Sequence, residues 1–232
     1  MQNKSEKIVV VGDSTIAEVA YEYFTYDSPY QVVAFTLDQQ FIKRESLFGL
    51  PIVPFETVQD SYPPAEFKIF VAVGYGKLNR LRTRFYGQAK AKGYDLVSYI
   101  SSKAFVWRNV EVGDNCFIFE HNVIQPFVKI GNNVTLWSGN HIGHHSVVKD
   151  HCFIASQVVI SGAVEVGESC FIGVNATVAN NVIISKNCFL GAGVIILKDT
   201  EENRVFASEM TAPKDVSSLK VFRISEINNA ME

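Results

Sequence analysis

From Val110 to Asp199 the chain repeats a six-residue pattern without interruption. The third residue of every unit is a branched aliphatic, from Val112, Ile118 and Ile124 through to Leu190 and Ile196. An amphipathic helix needs apolar residues at a spacing near 3.6, and an ordinary strand alternates every second residue. A period of six fits a short strand plus a turn, with the third position in a common core and the mostly small first position filling the corners. Three hexads close one triangular coil, so eighteen residues return the chain to the same column, one strand spacing of ~4.8 Å farther on. The ninety residues thus form fifteen hexads and five coils.

The cysteines give the same register. Cys116, Cys152, Cys170 and Cys188 are separated by 36, 18 and 18 residues, which places all four in one column. With no CxxC spacing among them, they read as small buried thiols and not as a disulfide or metal framework.

Ahead of the repeat, KIVVVG, QVVAFTLD, KIFVAVG and YDLVSYI are short β-rich apolar runs that read as buried parallel strands. TIAEVAYEYF and KLNRLRTRFYGQAKAKG between them carry helical spacing. The expected fold is therefore α/β followed by β: a Rossmann-like domain over residues 1–102, a parallel β-helix over 103–199, and a tail over 200–232. In the tail, LKVFRISEI reads as a short amphipathic element.

Composition narrows the partners. The chain has 232 residues, 47% hydrophobic and 19% charged, which is enough for filled cores. A net charge of −3 and a pI near 6.0 supply no basic field for nucleic acid. No apolar run has the length of a signal peptide or a membrane span, so a cytoplasmic protein without membrane or nucleic-acid partners is expected.

Candidate chemistry falls in three places. The first strand runs into Gly12 and Ser14, where backbone N–H groups at a helix start can meet a phosphate; the other reading is a plain turn capped by Ser14. Only Gly12 of a GxGxxG fingerprint is present, which argues against a dinucleotide. Asp38 follows the second strand, placed to accept from a ribose or a base, and Gly74-Tyr75-Gly76-Lys77 follows the third, with two glycines for close approach and a charge at Lys77. The third place is Asn140-His141-Ile142-Gly143-His144-His145. Ile142 takes the inward position, so His144 and His145 lie on the outer turn. An imidazole there can act as general base for acyl transfer from a thioester, and His144 is the candidate. Gly162, eighteen residues on, occupies the same column and offers a backbone N–H as oxyanion donor.

The stretches IGNNVT, VGESCF, IGVNAT and LGAGVI match the repeat pattern of hexapeptide transferases. In domain order and repeat the chain resembles the PglD/NeuD-like family of hexapeptide-repeat sugar acyltransferases. The resemblance implies a left-handed coil, against the general right-handed rule for crossovers. It also implies a homotrimer in which the α/β domain holds a nucleotide-linked sugar through Gly12, Ser14, Asp38 and Gly74. Acetyl-CoA then lies in an intersubunit groove against Gly162, Gly173, Val174, Gly191 and Ala192, with His144 as base. The implied activity is N-acetylation of a nucleotide-linked amino sugar for surface-glycan synthesis, with acetyl-CoA as cosubstrate and no metal.

Three departures from that family are visible. His145 stands where the family has an acidic residue after the catalytic histidine, which leaves Asn140 or His141 as candidates to orient the base. Ile16 replaces a histidine of the first loop, and ASEMTAPK replaces a GVPA-like stretch. Sugar O-acetylation is the neighbouring alternative; a γ-carbonic-anhydrase-like metal hydratase and a catalytically silent scaffold come from other classes.

Overall fold

The computed structural model describes Lys4 and residues 6–224. The C-terminal part of LKVFRISEI, Ser225 to Ile227, lies outside the described residues.

The N-terminal domain is a five-stranded sheet in the order β3-β4-β2-β1-β5, parallel except for the β3/β4 pair. β1 (Glu6–Val11), β2 (Tyr30–Leu37) and β5 (Phe67–Val71) are three of the four runs read as strands; β3 (Ser46–Leu47) and β4 (Leu50–Pro54) come from a segment the apolar pattern left silent. Ile8, Val9, Val10 and Val11 of β1 are all fully buried, as expected of a central strand covered on both faces. Helix α1 (Thr15–Tyr26) buries Ala17, Ala20 and Phe24 against one face, and α3 (Arg80–Ala91) packs on the other; α2 (Val58–Ser61) is a single turn between them.

YDLVSYI is not a sheet strand. Leu96 makes one isolated bridge to Ile69, and Tyr99–Ile100 pairs with Phe117–Ile118 as the first rung of the β-helix. At the other end Val205–Phe206 pairs with Phe189–Leu190, beyond Asp199. Rung pairing therefore runs from Tyr99 to Phe206, outside both boundaries of the 103–199 segment.

Each rung is two residues long and pairs in parallel with the rung eighteen residues away, sixteen for the last pair, Phe189–Leu190 with Val205–Phe206, giving three flat faces of seven, six and five strands. The third-position column is buried from Ile118 to Ile196, with Val112 half-buried at the open end. The sixth position explains the regular turns. From Asn115 to Gly193 it adopts a left-handed backbone in every hexad, five times as Asn, twice as Gly and three times as His, among them His145 at φ 60°.

The outward second position distinguishes the faces. On the face containing Phe117 it is aromatic in five of seven rungs (Tyr99, Phe117, Phe153, Phe171, Phe189), the others being Thr135 and Val205, and the α/β domain docks there. On the face containing Lys129 it is largely charged, with ion pairs Lys129–Glu111 and Lys149–Glu165 across its surface. On the face containing Val123 it is Phe105, Val123, His141, Val159, Thr177 and Ile195, with Phe105 52% and Ile195 67% exposed.

Docking of the two domains rests on α3. Arg82 is fully buried and reaches into the β-helix, donating to the carbonyls of Asn133 (2.5 Å) and Cys152 (2.9 Å) and to the hydroxyl of Thr135. Burial without a carboxylate partner pulls its pKa down to about 10. Nearby, the Val71 N–H at the end of edge strand β5 donates to Asn115 Oδ1 at 2.7 Å, so the β-helix also satisfies the sheet edge.

Candidate active site

His144 and His145 sit at the corner between the Val123 and Lys129 faces, both exposed. The imidazole of His144 lies across Gly162: a Cβ built on that glycine falls 2.7 Å from Cε1 and 2.8 Å from Nε2. Its backbone N–H donates to Gln125 Oε1 at 2.9 Å, and its carbonyl accepts from Ala163 N at 2.8 Å, which pins the turn from the coils on either side. His144 Nδ1 is 3.1 Å from His145 Nδ1, with the rings at 85°. The His145 ring in turn stacks on Phe127, eighteen residues earlier in the same column, at 4.6 Å and 28°.

Three expectations are corrected here. Asn140 is buried and turned inward, accepting from Val158 N (2.8 Å) and donating to the Trp137 carbonyl, so it braces a corner and does not reach His144. His141 lies on the flat Val123 face between Val123 and Val159, not beside the base. The N–H of Gly162 is not free: it donates to Asn180 Oδ1 at 2.8 Å. Asn180 follows Gly162 by eighteen residues, and that spacing is the signal by which the sequence could have shown it. An oxyanion at this N–H has to displace the amide.

Gly173, Val174, Gly191 and Ala192 stack on a different corner, at the opposite edge of the Val123 face. Gly173 is required there, since a Cβ would fall 2.7 Å from Ala192 N. This corner borders a cavity of about 330 Å³ closed on the other side by Ile16 and Tyr75 of the α/β domain and floored by Trp137, Phe153 and Phe171. Neither its aromatic floor nor Tyr75 was singled out from the sequence.

The loops of the α/β domain converge at the carboxyl ends of its strands. Gly12 has φ 119° and a Cβ there would meet the Ala72 carbonyl at 2.7 Å, so no side chain fits. Ser14 occupies the N-cap position of α1 but its hydroxyl makes no capping bond, contrary to the turn reading. Gly74 approaches the Ile16 side chain, which brings the first and third loops together, and Lys77 is exposed in a left-handed backbone. Asp38 is buried and its carboxylate is held by Arg84 in a two-pronged ion pair, the shorter contact 2.6 Å. Any hydrogen bond it accepts from a nucleotide is shared with that guanidinium, a partner sequence spacing did not reveal.

Among the described residues no three His, Cys, Asp or Glu side chains converge as metal ligands, and no helix is long and apolar enough to cross a membrane.

Residues 109–142 and 127–162 match the bacterial transferase hexapeptide (six repeats) model. Together the two matches span residues 109–162, so the repeat that model describes lies within the β-helix. The chain is similar to the acetyltransferase domain of PglB from Neisseria gonorrhoeae, solved also in complex with acetyl coenzyme A: 24% identity over 87% of this chain and 96% of that one, TM-score 0.78. PerB from Caulobacter crescentus, solved with CoA and GDP-perosamine, is 25% identical over 87% of this chain and 91% of its own, TM-score 0.75. WeeI from Acinetobacter baumannii is 18% identical over 87% and 96%, TM-score 0.66. No curated protein matches the sequence significantly.

Proposed function

We propose that the protein is an acetyl-CoA-dependent N-acetyltransferase of a nucleotide-linked amino sugar, with His144 as general base. The observation that carries this is the exposed His144 imidazole, laid on Gly162 and held from its far nitrogen, on the β-helix fold shared with PglB and PerB. His144 Nε2 takes the proton as the sugar amine attacks the thioester carbonyl, and CoA leaves as the thiol. The Gly162 N–H supplies the oxyanion contact once the Asn180 amide swings aside. The loops at Gly12, Ser14, Asp38, Gly74 and Lys77 hold the nucleotide and its phosphates; the cavity beside Tyr75 receives the sugar.

The functional unit in this reading is a homotrimer. The corner of Gly173 and Ala192 and the corner of His144 flank the exposed Val123 face, so they cannot meet within one chain. Cyclic packing through that apolar face sets the first corner of one copy against the second corner of the next, closing a CoA groove between them.

Thiol release from acetyl-CoA with a panel of GDP-, UDP- and dTDP-linked amino sugars tests the reaction. Turnover by the wild type that is lost in His144→Ala is the expected result. No turnover with any amino sugar overturns N-acylation.

A further inference from the structure

We infer that His145 is the positioning residue that selects the tautomer of His144, in a His–His pair with no carboxylate. The inference deepens the proposed function, because a base at His144 Nε2 is useful only if that nitrogen carries no proton.

The two Nδ1 atoms are 3.1 Å apart, and a contact of that length between ring nitrogens needs one proton between them. If His144 donates, its proton sits on Nδ1 and its Nε2 lone pair is free; His145 then accepts at Nδ1 and is protonated at Nε2. The opposite arrangement puts the proton of His144 on Nε2 and abolishes the base. The first arrangement is the one we assign, and His145 keeps the Nδ1–Nδ1 contact in place because little of it is free to move. Its backbone is fixed at φ 60° by the turn, its N–H donates to the Pro126 carbonyl at 3.1 Å, and its ring is stacked on Phe127. Gln125 fixes the other partner by accepting from His144 N. Both rings are thus held from neighbouring coils and meet edge to face.

An imidazole accepting in this position supports the Nδ1–H tautomer as a carboxylate would, but unlike a carboxylate it can also donate, and it brings no negative charge to the imidazolium formed during the reaction.

Two substitutions separate these roles. His145→Phe keeps the ring and its stacking while removing the acceptor, and a Phe is already accommodated at the equivalent turn residue, Phe127, at φ 66°. His145→Asp restores an acceptor in a residue type that tolerates the left-handed backbone. The tautomer is read directly from the imidazole nitrogen-15 shifts of His144 in the full-length protein. The expected result is Nδ1–H for His144 in the wild type, loss of that preference in His145→Phe at unchanged melting temperature, and its return in His145→Asp. In parallel, kcat falls at least about tenfold in His145→Phe with KM little changed, and recovers in His145→Asp. An Nε2–H tautomer in the wild type, or a tautomer unaltered in His145→Phe, overturns the inference whatever the enzyme acetylates. An active His144→Ala overturns the reading of His144 as base while leaving the tautomer measurement intact.

Discussion

The imidazole of His144 rests on the Cα of Gly162, one coil away, so closely that a single added methyl group would occupy the ring's place. Gly162 does not need to be glycine for its backbone: its φ is not left-handed, and other hexads carry Val, Asn, Lys or Glu at the same position. Gly162→Ala should therefore leave the melting temperature within a few degrees of wild type while pushing the ring aside and lowering kcat/KM by about tenfold or more. Steady-state kinetics with a thermal melt on the same sample checks both halves.

The uncovered Val123 face carries the proposed assembly. Placing a charge at its centre, as in Val159→Glu, sets a carboxylate against apolar partner surface with only the neighbouring His141 to offset it. The variant is expected to sediment as a monomer and to lose turnover, although Val159 touches neither His144 nor the α/β loops. A trimer that survives the substitution argues that the copies pack through another face.

Arg82 ties the two domains together. Removing it in Arg82→Met strips the donor from the buried Asn133 carbonyl and the Thr135 hydroxyl and leaves the Cys152 carbonyl only its rung bond from Thr135 N, at a cost of about 2–4 kcal/mol. A fall in Tm of roughly 5–10 °C follows for a chain of this size. Lysine cannot replace it, since one ammonium does not span three acceptors held by two nitrogens. Differential scanning calorimetry of Arg82→Met and Arg82→Lys reads the loss.

His151 makes the same junction sensitive to acid. Burial lowers its pKa, partly opposed by Asp150; its Nδ1 lies 3.0 Å from the Asn133 amide nitrogen, and the Tyr86 ring of α3 packs edge-on against it. Because the folded pKa lies below the unfolded value of about 6.5, the unfolded chain binds more protons in this range. Its contribution to stability is complete above that value and declines as pH falls below it. Urea midpoints between pH 7.5 and 5 should drop in the wild type and drop less in His151→Asn, which keeps a residue suited to the left-handed turn.

The β-helix was legible because its physics is one-dimensional: each rung repeats the same inward aliphatic, the same left-handed turn and the same eighteen-residue return, so the sequence alone determined the columns that stack His144 on Gly162 and His145 on Phe127. The central strands and both long helices of the α/β domain were equally plain, the strands from continuous apolar runs and the helices from apolar residues at helical spacing. What only the tertiary structure decided are contacts between columns and between domains. Tyr99–Ile100 looks like one more sheet strand until the first coil claims it. Asn140 looks like a neighbour of His144 until its side chain turns inward. Asp38 looks free until Arg84, forty-six residues away, closes on it, and Arg82 looks like a solvated helix residue until the β-helix buries it. A periodic pattern records which way a residue points relative to its own repeat; it carries no record of what a separate element, packed at an angle set by side-chain volumes, places against it.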